Sequence, residues 1–81
     1  MILPYAVYIL KCSDNTFYTG FSANINNRIK AHQLGEVKYT KSRLPLELIY
    51  ISFFNEKKKA YNFERYLKSG SGIAFRNKRF I

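Results

Sequence analysis

Three ionisable side chains stand where the helical pattern of this sequence otherwise places apolar residues. The first helical stretch has apolar positions at Ile25 and Ile29. Arg28 and His32 share that face, because the four positions follow an i, i+3, i+4, i+7 spacing. Glu64 falls in the same way among the apolar positions of a second helical stretch. A charge on a core-facing stripe needs a partner or a solvent-filled cleft. The pattern therefore indicates either a buried Arg28–Glu64 ion pair or a functional site.

Two strands precede the first helix. The segment Tyr5–Lys11 is rich in β-branched and aromatic residues and is apolar on both faces, which predicts a central strand. Residues 13–15 read Ser-Asp-Asn and predict a turn, since these side chains hydrogen-bond locally to the backbone. The segment Thr16–Phe21 follows as a second strand, and the short connection predicts an antiparallel hairpin.

The hairpin carries two tyrosines and a glycine. A register that pairs Lys11 with Asn15 puts Tyr8 opposite Tyr18 on one face of the sheet. Gly20 ends the second strand, where the missing side chain allows a ligand to approach the backbone. Taken singly, both tyrosines also fit an ordinary role as core aromatics.

The first helix and the third strand have clear boundaries in the sequence. Ser22 or Asn24 can cap the helix, which we expect to run to about Leu34 and to stop at Gly35. The segment Leu46–Phe53 is again apolar on both faces and predicts the third strand.

Two further helices complete the chain. Asn55 is the predicted cap of a helix from Glu56 to about Ser69. A break bracketed by Gly70 and Gly72 precedes a short final helix over residues 73–80. The buried stripe of the second helix is predicted to contain Ala60, Phe63 and Leu67.

Composition favours a nucleic-acid partner. Fourteen Lys and Arg face five Asp and Glu, giving a net charge of +9 in 81 residues. Such a field attracts a polyanion through counterion release, although positive charge also aids solubility. A membrane partner is not expected, because no helix combines a broad apolar face with a basic one and the apolar runs are too short to cross a bilayer. The lone Cys12 excludes an intrachain disulfide and a multi-cysteine zinc site. With no secretory signal pattern, we expect a single cytoplasmic domain over residues 1–81.

Basic residues cluster in two segments. In residues 36–45, Lys38, Lys41 and Arg43 surround Tyr39, which suits a phosphate-backbone contact or, equally, a solvated loop. Three lysines at residues 57–59 open the second helix against its dipole. A partner's negative charge explains them better than stability does, although crowded surface lysines are common.

The ordered set of Tyr8, then Tyr18-Thr19-Gly20, then Arg28, then Glu64 resembles the GIY-YIG nuclease superfamily. Here Ala6-Val7-Tyr8 stands for Gly-Ile-Tyr, and Tyr-Thr-Gly stands for Tyr-Ile-Gly. The YTKSRLP loop and the ERYLKSGSG helix ending look like those of the small stand-alone members, so the resemblance covers nearly all 81 residues. It implies an α+β fold, a three-stranded antiparallel sheet flanked by helices, in agreement with the predicted order β-β-α-β-α-α.

The resemblance also implies metal-dependent cleavage of phosphodiesters. Glu64 would bind Mg²⁺ or Mn²⁺, a hard cation that keeps most of its waters. Arg28 would hold the scissile phosphate and neutralise charge in the transition state. Tyr8 or Tyr18 would orient or deprotonate the attacking water, and His32 could share that proton transfer. A phenol has an ordinary pKa near 10, so a base needs neighbouring cations to lower it.

The expected activity is that of an endonuclease acting on branched, damaged or distorted DNA. A single module buries only ~600–1,000 Å² on DNA, which is little surface for reading a long sequence. A non-catalytic nucleic-acid-binding module is the alternative, and an adaptor controlled by a partner is a third class. The intact set of Tyr8, Tyr18, Arg28 and Glu64 argues against the binding module, because simple binding needs no buried carboxylate near phosphate. Two departures from the family pattern leave room for weak activity or for a binding role: Phe21 stands where many members have a lysine, and the usual late asparagine has only Asn77 as a candidate. The predicted substrate-binding residues are Gly20, Lys38, Tyr39, Lys41, Arg43, Lys68 and Asn77.

Overall fold

The computed structural model describes residues 3–80, apart from the side chains of Ser71, Phe75, Arg76, Arg79 and Phe80. The elements within this range follow the predicted order of two strands, a helix, a strand and two helices. They are β1 (Tyr5–Lys11), β2 (Phe17–Ser22), α1 (Ile25–Gln33), β3 (Glu47–Phe54), α2 (Lys57–Lys68) and α3 (Gly70–Phe80). The α+β fold with an antiparallel sheet is therefore confirmed.

The first strand is the centre of the sheet, as its two apolar faces predict. The strand order is β2-β1-β3, and both pairings are antiparallel. The five residues Ala6 to Leu10 are all buried, because β1 has a strand on each side and a helix over each face. On one face, Val7 and Ile9 pack against Ala60 and Leu67 of α2. On the other face, Tyr8 points towards α1.

The register of the hairpin differs from the predicted one. Lys11 pairs with Phe17 and Tyr8 pairs with Gly20, so the predicted pairing of Tyr8 with Tyr18 is wrong. The connection is longer than a three-residue turn, because the Cys12 amide donates to the Thr16 carbonyl at 2.8 Å and Asn15 adopts a φ of 67°. The shift is two residues, and an even shift leaves every side chain on its face. Both tyrosines therefore still lie on the α1 side.

The ends of α1 agree with the sequence. Asn24 caps the helix, and its side-chain oxygen accepts a hydrogen bond from the Asn27 amide at 3.3 Å. Gly35 follows the last turn with a φ of 74°, the left-handed conformation that glycine adopts most easily.

The starts of α2 and α3 do not agree with the sequence. The N-cap of α2 is Glu56, without a side-chain cap, so the predicted cap at Asn55 is wrong. Only Ser69 separates α2 from α3, which begins at Gly70 and not at residue 73 as predicted. Ser69 ends α2 and also accepts the Gly72 amide on its hydroxyl at 3.2 Å, so one residue serves both helices. Gly72 is buried against the last turn of α2.

The third strand lies at the edge of the sheet. Leu48 and Phe53 remain 45% and 46% exposed, so the predicted apolar pattern on both faces of β3 does not bury both faces. Within residues 3–80, no helix has the length and apolar character needed to cross a bilayer.

Candidate active site

Four of the predicted site residues meet between the hairpin and α1. The Tyr8 hydroxyl lies 2.9 Å from His32 Nε2, and Arg28 Nε donates to the same hydroxyl at 3.4 Å. Arg28 Nη2 donates to the Tyr18 hydroxyl, also at 3.4 Å. The Tyr18 and His32 rings pack edge to face with centroids 4.9 Å apart. One turn of α1 separates Arg28 from His32, so the helix presents both to the two tyrosines.

Gly20 makes room for this arrangement. It lies directly opposite Tyr8, and a Cβ built on Gly20 would stand 2.4 Å from the Tyr8 hydroxyl oxygen and 2.9 Å from the Tyr18 ring. No side chain fits there. The space predicted for a ligand is therefore filled by the phenol of Tyr8, and Gly20 acts by letting the ring lie across the strand.

Thr40 belongs to the same network, although no sequence pattern singles it out beyond its place beside Tyr39. Successive turns in the loop between α1 and β3 bring the Thr40 hydroxyl to 2.8 Å from His32 Nδ1. That hydroxyl also donates to the Val37 carbonyl at 3.5 Å. Its proton is thereby used, so it accepts from Nδ1–H, and His32 Nε2 is left as the acceptor for Tyr8. This tautomer follows from the hydrogen-bond network.

Burial sets the protonation states of Tyr8 and His32 at neutral pH. Burial, together with the nearby Arg28 charge, lowers the pKa of His32 from 6.5 to about 4, so the imidazole is neutral at pH 7. Burial also raises the pKa of Tyr8 from 10.0 to about 12, and the opposing hydrogen bond from Arg28 is the smaller effect. The hydrogen bond from Arg28 therefore does not bring the pKa of Tyr8 below its ordinary value. Desolvation of the phenolate outweighs the attraction of one guanidinium.

The two tyrosines differ in access. Tyr8 is fully buried, whereas Tyr18 lines an open cleft of about 310 Å³. The cleft runs from β2 past the loop to α2 and α3, and its walls include Tyr39 and Lys68. Of the two phenols, Tyr18 is the one that a molecule in this cleft can touch.

Glu64 lies close enough for its charge to raise the pKa of Tyr8. Its side chain is 16% exposed and Oε2 accepts a hydrogen bond from Lys68 Nζ at 3.1 Å. The buried Arg28–Glu64 pair is not present, because Arg28 bonds to the tyrosine hydroxyls instead. Among the described residues, no group of three or more His, Cys, Asp or Glu could enclose a metal ion. Glu64 does not itself line the cleft, but its partner Lys68 does. A single carboxylate suits Mg²⁺ or Mn²⁺, which can take their other ligands from water and phosphate.

The loop over residues 36–45 forms one wall of the cleft. Tyr39 packs against Tyr18 with ring centroids 5.5 Å apart, and the Arg43 guanidinium lies 4.2 Å above the Tyr39 ring. Arg43 Nε also pairs with Asp14 Oδ2 at 3.0 Å, which ties the loop to the β1–β2 turn. Arg43 thus supports Tyr39, and its phosphate contact stays a prediction.

Three further predicted residues lie on the loop and on α3. Lys38 and Lys41 are exposed on the loop, and neither lines the cleft. Asn77 lies on α3 with an exposed side chain. The substrate contacts of these three residues stay predictions.

Comparisons with known proteins agree with the fold. The family model described as the GIY-YIG catalytic domain matches residues 4–77. A UPF0213 protein of Clostridium perfringens is 49% identical over 63 residues, which are 76% of this chain and 68% of that protein. A UPF0213 protein of Pediococcus pentosaceus is 38% identical over an alignment of 86 residues that covers 100% of this chain and 90% of that protein. The solution NMR structure of a UPF0213 protein from Bacillus halodurans superposes with a TM-score of 0.58 at 34% identity, covering 91% of this chain and 82% of that one.

Proposed function

The chain belongs to the GIY-YIG family of nuclease domains, and from this premise we propose that it is a metal-dependent endonuclease that hydrolyses phosphodiester bonds in DNA. The observation that carries the proposal is the hydrogen bonding of Arg28 to both tyrosine hydroxyls, of which that of Tyr18 belongs to a residue lining the cleft. A guanidinium held by two neutral phenols keeps its full positive charge for an anion. An ion pair with a carboxylate would have cancelled that charge.

Arg28 is the proposed phosphate ligand. Its hydrogen bonds to Tyr8 and Tyr18 raise its pKa further, so it stays charged at any working pH. A guanidinium offers five N–H donors in one plane, and two suffice for the tyrosines. The others can bind the non-bridging oxygens of a phosphate and neutralise the charge that develops there.

Tyr18 is the proposed contact to the attacking water. Its hydroxyl accepts a hydrogen bond from Arg28, which leaves its own proton and a second lone pair to orient a water in the cleft. Tyr8 is fully buried and neutral, so its proposed role is to position Arg28 and not to contact the water. It donates to His32 and accepts from Arg28, so it fixes the guanidinium next to the water.

Glu64 would hold the metal ion, which when bound supplies positive charge to the scissile phosphate and the leaving oxygen. Lys68 shares the Glu64 carboxylate and lines the cleft, so it is suited to a neighbouring phosphate once the metal takes its place. A single domain of this size covers little DNA surface, which supports selection of distorted or branched DNA over recognition of a long base sequence. A cytoplasmic location stays a prediction.

The test is cleavage of labelled single-stranded, duplex and branched DNA with Mg²⁺ or Mn²⁺. Glu64→Gln keeps the size of the side chain and an acceptor for Lys68 but removes the charge. We expect it to abolish cleavage while binding persists, and we expect Arg28→Lys to cut the rate by about 10²–10³, the usual effect of losing a donor to a developing charge. Glu47→Gln, an exposed carboxylate on β3, is the matched control.

Two results would contradict the proposal. Cleavage that survives in Glu64→Gln at the level of Glu47→Gln would remove the metal role of Glu64. Salt-dependent DNA binding without cleavage under either metal would favour the alternative, a non-catalytic module that uses the same basic cleft.

A further inference from the structure

One side of α2 carries a row of basic and aromatic residues that continues from the cleft. Lys57, Tyr61, Glu64, Arg65 and Lys68 follow an i, i+4, i+7, i+8, i+11 spacing, which puts them on one side of the helix. We propose that the surface formed by Lys57, Tyr61, Arg65 and Lys68, called here the α2 flank, binds the nucleic-acid strand as it leaves the cleft. The inference rests on the proposed function, since it extends the substrate path from the same site.

The α2 flank is continuous with the candidate site. Lys68 is both a wall of the cleft and the partner of Glu64. Arg65 lies three residues before Lys68, with its guanidinium 5.8 Å from the centre of the Tyr61 ring. Tyr61 is 50% exposed, so its ring presents an apolar surface to solvent beside three cations. Basic side chains next to an exposed aromatic ring fit a sugar-phosphate strand with a base or sugar on the ring.

Stability of the helix does not account for these lysines. Cations in a first helical turn oppose the helix dipole, and α2 has no acidic residue there to balance them. Lys59 has a local partner, since its Nζ lies 2.9 Å from Glu56 Oε2. Lys57 is exposed and makes no ion pair or hydrogen bond with any residue that the structure describes. A ligand's negative charge would offset the unfavourable interaction of Lys57 with the helix dipole.

The length of the α2 flank sets the expected footprint. Eleven residues separate Lys57 from Lys68, which is about 16 Å along the helix. One strand of B-DNA carries roughly five phosphates in that length, at ~3.4 Å each. Three cations along this line are therefore enough to contact successive phosphates beyond the scissile one.

The test is the salt dependence of DNA binding by the full chain. The flank variant Lys57→Gln/Arg65→Gln is compared with the control variant Lys30→Gln/Lys59→Gln, which removes the same charge. Lys30 lies two residues from Arg28, and Lys59 lies two residues from Lys57. Two residues correspond to about 200° around a helix, so each control lysine points away from the residue it is compared with. We expect the slope of log K against log salt to fall by about 2 in the flank variant and to change little in the control.

Tyr61 gives a second readout that does not depend on charge. We expect Tyr61→Ala to weaken binding roughly 5- to 150-fold, the usual effect of losing one stacking ring, while Tyr61→Phe binds as the parent does. Urea unfolding of each variant checks that α2 remains folded.

The outcomes separate this inference from the proposed function. If the parent cleaves DNA but both double variants lose the same salt slope, the α2 flank is not the path and the nuclease stands. If the parent binds without cleaving, the nuclease proposal fails, and the slopes still decide for or against the α2 flank. A parent that does not bind DNA or RNA overturns both.

Discussion

Replacing Thr40 with valine tests the buried hydrogen-bond network with almost no change in shape. Thr40 is 0% exposed and His32 is 1% exposed, so no water can replace the lost hydroxyl. The Nδ1–H of His32 then loses its acceptor at 2.8 Å. An unsatisfied buried donor costs about 1–3 kcal/mol. Taking about 2 kcal/mol, Tm should fall by roughly 8–16 °C in a domain of this size.

The loss should also change the tautomer of His32. Without Thr40 as acceptor, the proton is better placed on Nε2, where it can be donated to the Tyr8 hydroxyl. The unsatisfied groups are then Nδ1 and the Tyr8 O–H, so a free-energy cost of the same order remains. Because the chain has a single histidine, the ¹⁵N shifts of its imidazole report the tautomer without ambiguity. Urea unfolding of the same variant gives the free energy.

Thr40→Ser is the matched control for this experiment. It keeps the hydroxyl and loses one methyl group, about 0.8 kcal/mol of apolar burial. We expect it to keep the Nδ1–H tautomer. A Thr40→Val protein with unchanged stability and an unchanged tautomer would refute the assignment of Thr40 as the acceptor that orients His32.

Three further predictions concern pH and backbone contacts. The folded pKa of His32, about 4, lies below its ordinary value of 6.5, so the neutral ring stabilises the fold above pH 6.5 and this contribution is lost as pH falls towards 4. Between pH 7 and 4.5 the parent should lose about 2–3 kcal/mol more than His32→Gln, measured by urea unfolding. Gly20→Ala forces a methyl into the Tyr8 phenol, and we expect a loss of about 1–3 kcal/mol together with loss of cleavage. Gly72→Ala would bring a Cβ within 2.0 Å of a backbone oxygen of α2, whereas Gly70 has nothing within 4 Å. Thermal unfolding should therefore show a Tm lower by several degrees for Gly72→Ala and almost unchanged for Gly70→Ala.

Each of these has a clear contrary result. A His32 titration midpoint near 6.5 by NMR would mean that the ring is not desolvated. A Gly20→Ala protein that unfolds and cleaves as the parent does would mean that Tyr8 does not lie across β2. Equal Tm values for the Gly72 and Gly70 variants would mean that α3 does not pack against the last turn of α2.

Much of the fold could be predicted because it depends on local pattern. The segments Tyr5–Lys11 and Leu46–Phe53 are both apolar on both faces, and both form strands, but only the first is central. The pattern therefore predicts a strand, whereas its place in the sheet depends on pairing with distant strands. Asn24 and Gly35 mark the ends of α1 by chemistry that acts within one turn. The predicted cap of α2 at Asn55 was wrong by one residue, because the cap is the adjacent Glu56 and the sequence pattern does not fix the first helical residue.

The candidate site was predictable in its members but not in their roles. Helical spacing puts Arg28 and His32 on one face, and the family resemblance adds Tyr8 and Tyr18. Nothing in the sequence connects Thr40 to His32, because the contact depends on how a loop with no regular periodicity folds back on α1.

The sequence by itself determined the order of the elements, the face on which each side chain lies and the excess of positive charge, since all three depend on residue type and on spacing within a few positions. Only the tertiary structure decided the hairpin register, the choice of Tyr18 over Tyr8 as the phenol that lines the cleft, and the neutral His32. These depend on burial and on contacts between residues distant in the chain. The cost of desolvating a charge, which raises the pKa of Tyr8 and lowers that of His32, exists only once the sheet, α1 and the loop have closed around them.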